Sequence, residues 1–191
     1  MLGTRTILGL AVDELGVVVA EVSVRAGRPH VRRVGQCAFE EKLGPDNGKE
    51  LGQTLRQFLR ANHFSQKNAV VGVPTKWVVA KEVTAPPASA DAVAGMLAIQ
   101  AERTFSLNSG ELIFDYCGRT STSQSSQVLL LAARRQMINQ VRELAAVAGL
   151  HVQSVTVSAL ALGKTTSSAA SKRAYGIYVR PTYCECWSHQ N

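Results

Sequence analysis

Along the N-terminal part of the chain, runs rich in branched and apolar residues are separated by turn residues. Thr6 to Val12 is rich in branched side chains, Val17 to Val24 resumes after Asp13-Glu14-Leu15-Gly16, and Val31 to Phe39 follows Gly27-Arg28-Pro29. Runs of this kind predict an antiparallel meander of strands. The period then changes. Leu51, Leu55, Phe58 and Leu59 recur at helical spacing and predict a helix from about Asn47 to Asn62, with Arg56, Gln57 and Arg60 on its wet side. Ala69 to Val73 is apolar throughout and closed by Pro74, as expected of a buried strand beside a crossover helix. The order over residues 1–75 is β-β-β-α-β.

A second rhythm begins with the strand Trp77 to Val83 and the breaker Ala85-Pro86-Pro87. Ser89 is suited to cap a helix running to about Thr104, and Asp91 favours its first turn. The expected buried stripe is Val93, Met96, Leu97, Ala101 and Phe105. Leu112 to Cys117 and Val128 to Ala133 read as a hairpin. Met137, Ile138, Val141, Leu144 and Ala145 mark another helix, stopped by Gly149, and His151 to Val157 reads as a closing strand. Residues 76–158 are therefore expected to form an inserted α+β unit of order β-α-β-β-α-β. Residues 159–191 would hold a return helix, a linker from Lys164 to Lys172, and a strand at Tyr175 to Val179 with no partner in view. A terminal strand without a partner leaves backbone groups uncovered, which predicts a chain truncated before a second lobe.

Composition narrows the class. Of 191 residues, 46% are hydrophobic and 18% charged, so the chain can bury a core and is not a disordered tail. No apolar run reaches the roughly 18 residues of a spanning helix, since Asp13, Glu14 and Glu21 interrupt the most hydrophobic stretch. With no signal peptide and no disulfide-like cysteine framework, the expected compartment is the cytoplasm. The net charge of +7 is spread along the chain, which ranks a nucleic-acid-binding module last.

Several local patterns invite sharper chemistry. Gly163-Lys164-Thr165 suggests a phosphate loop, but Ser158 stands where the first glycine is required. Cys184, Cys186 and His189 offer soft zinc ligands without a fourth. Asp13 and Glu14 are adjacent acids in a tight turn, where solvated turn formers are the rule. His30, His63 and His151 have no serine or cysteine partner in sequence, so hydrolase chemistry has no support.

Leu8-Gly9-Leu10, Val71-Gly72-Val73-Pro74, Gln100-Ala101-Glu102-Arg103-Thr104-Phe105, Glu111 to Tyr116, Leu129 to Arg134 and Ala148-Gly149-Leu150 stand in an order and spacing that resemble the PilM family of type IV pilus assembly proteins and the related cytoplasmic part of GspL. The resemblance implies an α/β chain forming the first lobe of an actin-like, ribonuclease H-like fold with an α+β insert. It also implies a cytoplasmic scaffold peripheral to the inner membrane, in a type IV pilus or type II secretion-like platform, that binds the short cytoplasmic tail of a PilN-like membrane protein. Self-association stays open. Family members of this fold carry an acid and glycines in their phosphate turns. The aligned positions here are Ala11 and Asp13 in the turn Asp13-Glu14-Leu15-Gly16, and Tyr178 and Arg180 before Pro181. Two carboxylates would repel a polyphosphate, and proline removes a donor. The expectation is therefore no enzyme activity, no metal and no cofactor, with Ala11, Asp13, Glu14 and Gly16 a degenerate phosphate turn. The alternative is an ATP-binding actin-like protein that takes its nucleotide contacts from the missing half. Trp77, Phe105, Tyr116 and Arg134 are the candidates for partner contact, against the commoner fate of aromatics as core.

Overall fold

The computed structural model describes residues 5–105, 109–166, 173–181 and 183–190, and divides into two compact units, residues 1–75 with 140–191 and residues 76–139. The linker expected from Lys164 to Lys172 lies mostly outside the described residues.

In the first unit, β1 (Arg5–Asp13), β2 (Gly16–Arg25) and β3 (Arg28–Ala38) form the expected antiparallel meander. A bulge between Glu21 and Val22 shifts the β2–β3 register, with Arg33 opposite Glu21 and Val31 opposite Val22. Helix α1 (Gly48–Ala61) follows, then β4 (Asn68–Val73), which lies parallel to β1. The sheet has five strands in the order β3-β2-β1-β4-β8, where β8 is His151–Val157, parallel to β4. One face is dry. Leu8, Leu10 and Val12 of β1, Val17 and Val19 of β2, and Ala69, Val71 and Val73 of β4 are all buried, as the period-two pattern demands. Leu51, Leu55 and Leu59 of α1 and Val141, Leu144 and Ala145 of α3 (Arg135–Val147) supply the buried helix positions.

Here the structure corrects the expected boundary. The closing strand belongs to the first sheet, and α3 belongs to the first unit from Gln140 onward, so the insert is residues 76–139 rather than 76–158. A helix followed by a strand can close a small local sheet or return to a distant parallel one, and local periodicity is the same in both cases. Contact decides it. The Gly48 N–H donates to Gln140 Oε1 at 3.1 Å, and Gly52 lies against the Leu144 carbonyl and Val147.

The second unit is correspondingly smaller. A short 3₁₀ turn at Thr75–Trp77 leads into β5 (Val78–Ala85), helix α2 (Ala90–Phe105), β6 (Leu112–Cys117) and β7 (Ser126–Arg134), with sheet order β5-β7-β6. The insert is thus β-α-β-β. Ser89 caps α2 as expected, its Oγ accepting the Ala92 N–H at 3.4 Å. Val93, Leu97 and Ala101 are buried against Val83, Val128 and Leu130, with Phe105 packed beside them. Met96, expected in the buried stripe, is 50% exposed. A single layer of three strands covers only the narrow i, i+4, i+8 row of the helix, and Met96 falls outside it.

The first unit is completed by helix α4 (Ser158–Thr166) and by β9 (Arg173–Arg180) and β10 (Tyr183–Gln190), which pair as an antiparallel ribbon. The strand expected to lack a partner has one. Cys184-Glu185-Cys186-Trp187 alternates as a strand should, but its charged and thiol side chains carry little apolar signal.

Candidate functional site

Strands β1, β4 and β8 run in the same direction, so their carboxyl ends share one edge of the sheet. That edge is where ligands bind in open α/β sheets, because turn N–H groups converge there. It carries the turn after β1, the Pro74-Thr75 segment after β4, and Ser158 after β8.

The turn after β1 is held from behind. Phe39 N–H donates to the Leu15 carbonyl and Leu43 N–H to the Glu14 carbonyl, each at 2.8 Å. A side chain on Gly16 would collide with the Cys37 carbonyl oxygen, so glycine permits the close passage of β2 and β3 here. Asp13 is not the solvated turn former expected: it is 2% exposed. Its Oδ1 accepts the Leu15 N–H at 2.7 Å, closing the turn locally, and its Oδ2 accepts from Arg180 Nε at 2.7 Å and Nη2 at 2.6 Å. The expected repulsion of phosphate by Asp13 is thereby replaced by an internal neutralisation, because a guanidinium already covers the carboxylate. Burial works against the Arg180 charge, but the Asp13 hydrogen bond and charge outweigh it and hold the guanidinium above its ordinary pKa.

The same inner face of the ribbon carries Tyr178, Arg180, Tyr183 and Glu185, since Arg180 pairs with Tyr183 and Tyr178 with Glu185 in the ladder. Glu185 is 4% exposed, and its Oε1 accepts both the backbone N–H and the hydroxyl of Thr75. Its Oε2 has no hydrogen-bond partner among the described residues. Burial, then the charges of Asp13 and Glu185, push the Tyr183 phenol above the usual range. The ion pair and the Glu185 contact escaped the sequence reading: an Asp in a tight turn and an Arg before proline carry no signal of each other.

On the face of the first sheet opposite the buried Leu8 and Val12 side chains lies a cavity of about 340 Å³. Gly9, Ala11, Ala20 and Gly72 form its floor, with Ala161 and Leu162 of α4 and Tyr178 of β9 at its sides. Ala11 therefore faces an almost wholly apolar space.

The other singled-out residues scatter. Phe105 and Tyr116 pack against the core of the second unit, Trp77 is half-buried, and Arg134 is exposed. Gly163-Lys164-Thr165 lies within α4, where its backbone is helical rather than a loop around a phosphate. Cys184 and Cys186 are exposed neighbours on one face of β10. Among the described residues no group of three or more His, Cys, Asp or Glu is placed to hold a metal ion.

Comparison with known proteins returns the family described as Type IV pilus assembly protein PilM over residues 9–174. No curated protein matches the chain in sequence. Among solved structures, the PilM-PilN type IV pilus biogenesis complex is similar with a TM-score of 0.70 at 15% identity, covering 96% of this chain and 61% of that one. The cytoplasmic domain of EpsL, an inner membrane component of the type II secretion system of Vibrio cholerae, is similar with a TM-score of 0.64 at 12% identity, covering 97% of this chain and 71% of that one. The fold is thus the actin-like one these proteins share, and this chain spans about three fifths of the chain it matches in the PilM-PilN complex. With the family profile covering most of its length, the chain belongs to the PilM family of type IV pilus assembly proteins.

Proposed function

We propose that this protein is a non-enzymatic scaffold of a type IV pilus or type II secretion-like inner-membrane platform, cytoplasmic and peripheral to that membrane, which binds the short cytoplasmic tail of a PilN-like partner without using nucleotide. The observation that carries the reading is the Asp13–Arg180 ion pair. It sets two side chains of the chain itself at the strand ends where open α/β sheets take ligands, and the turn Asp13-Glu14-Leu15-Gly16 is not the glycine-rich backbone a phosphate cradle needs. The similar structure containing PilN supplies the partner class. Among the described residues no helix is long and apolar enough to cross a membrane, and in this reading the PilN-like partner carries the membrane attachment.

The apolar cavity beneath α4 suits an apolar anchor of such a tail, since affinity for peptides is set by side chains buried in pockets of this kind. Arg134 and Trp77 are the accessible candidates on the second unit, whereas Phe105 and Tyr116 double as core. Calorimetric titration of a PilN-like tail peptide into the protein, with and without MgATP, tests the reading. The tail binds equally in both conditions and no phosphate is released. Filling the cavity with Ala161→Trp weakens the tail about tenfold, equivalent to about 1.4 kcal/mol. Binding that requires ATP, or turnover above background, refutes the scaffold assignment.

A further inference from the structure

One ribbon brings charges of opposite sign to neighbouring strand ends. Arg180 places a cation on the Asp13 carboxylate after β1, while Glu185 places an anion on the Thr75 N–H and hydroxyl after β4. A turn N–H paired with a hydroxyl is the donor set that receives a phosphate oxygen, and an acid at a strand end is what receives the accompanying cation. Both positions are filled from a single inner face, with Tyr183 between them in register. Apolar packing alone does not account for this contact. It would not bury a carboxylate that satisfies Thr75 with one oxygen and leaves Oε2 without a hydrogen-bond partner among the described residues.

We propose that the β9–β10 ribbon is a tethered pseudo-ligand: Glu185 takes the place of an anionic ligand at Thr75 and Arg180 that of its cation at Asp13, which docks the ribbon on the first sheet with no ligand bound. The proposal rests on the nucleotide-independent reading above and deepens it. The Thr75 N–H and hydroxyl remain anion donors and are closed to outside anions because Glu185 occupies them. Removing Glu185 then reopens them, and removing Arg180 loosens the ribbon and the Asp13 turn together.

Amide hydrogen exchange on the whole protein, with magnesium pyrophosphate as the probe, tests this. In the unaltered protein the probe changes no exchange rate near Thr75 or in the Asp13–Gly16 turn. Glu185→Ala raises exchange across Tyr183–Trp187 by about tenfold or more, and magnesium pyrophosphate then slows exchange at Thr75. Arg180→Gln raises exchange in both the ribbon and the Asp13–Gly16 turn. Thr75→Val, which keeps the fold's volume and removes the hydroxyl, loosens the ribbon without creating probe binding, and so stands in should Glu185→Ala fail to fold. Probe protection in the unaltered protein, or ribbon exchange unmoved by Arg180→Gln and Thr75→Val, overturns the pseudo-ligand. Titrating the unaltered protein and the same variants with the tail peptide separates the two ideas, because absence of tail binding to the unaltered protein sinks the scaffold reading and leaves the ribbon result standing.

Discussion

Arg180 reaches Asp13 across 167 residues of sequence, with two guanidinium nitrogens on one carboxylate oxygen and both side chains nearly removed from water. Coulomb attraction is strong in such a place, and so is the penalty for leaving either charge alone.

Asp13→Ala strands a buried guanidinium and is expected to cost about 3–5 kcal/mol, with Arg180→Met costing a similar amount for the converse reason. The double variant costs clearly less than the sum, since neither charge remains to be desolvated. Urea unfolding of the four proteins measures the coupling. Additivity within about 0.5 kcal/mol would show that the pair contributes nothing as a pair.

Two helical glycines are expected to respond with opposite sign when changed to alanine. Helix propensity alone favours alanine by about 1 kcal/mol at either site. At Gly95 in α2 nothing lies within 4 Å of an added Cβ, so Gly95→Ala raises the unfolding midpoint. At Gly52 in α1 the added Cβ stands 2.8 Å from the Leu144 carbonyl oxygen and 2.8 Å from Val147 Cβ. Overpacking there costs about 1–3 kcal/mol and outweighs the propensity gain. Thermal unfolding of both variants checks the signs.

Tyr183 sets an alkaline limit on ribbon docking. Its folded-state pKa is raised, chiefly by burial and then by Asp13 and Glu185. Above about pH 10 the unfolded chain releases the phenolic proton while the folded one retains it. The unfolded state then binds fewer protons, so stability is fully present below that pH and falls as pH rises toward the folded value. Tyr183→Phe removes this component, and the stability of the variant should decline less steeply than that of the unaltered protein between pH 10 and 12. Parallel curves would remove Tyr183 from the account.

The four cysteines should separate by reactivity. Cys37 is 4% exposed and burial pushes its thiol up, so alkylation there waits for unfolding. Cys117 and Cys186 are exposed and react in the folded protein. Cys184 is exposed too, but its thiol is pushed up by desolvation, by its hydrogen bond with Cys186 and by nearby negative charge, so its labelling accelerates more from pH 7 to 9. Mass spectrometry of iodoacetamide-treated protein reads all four positions. Early labelling of Cys37 would contradict its burial in the first unit.

What the amino-acid sequence determines here is local. The apolar runs and intervening turn residues in Thr6 to Phe39 set the meander, the spacing of Leu51, Leu55 and Leu59 sets α1, Ser89 starts α2, and Gly149, at φ +81, ends α3. These follow from strand and helix periods and from backbone preferences that act over a few residues. Tertiary structure decided the rest. His151–Val157 carries a pattern compatible with either sheet, and its place beside β4 follows from parallel pairing between segments separated by the whole insert. Tyr183–Gln190 gains its strand from pairing with β9, and Met96 loses its place in the core because the sheet beneath α2 is narrow. Asp13 looks like any acid in a turn until the ribbon delivers Arg180 to it. A charge in sequence has no partner until the chain is folded, because electrostatic and hydrogen-bond partners are chosen by distance in space, and local periodicity carries no information about that distance.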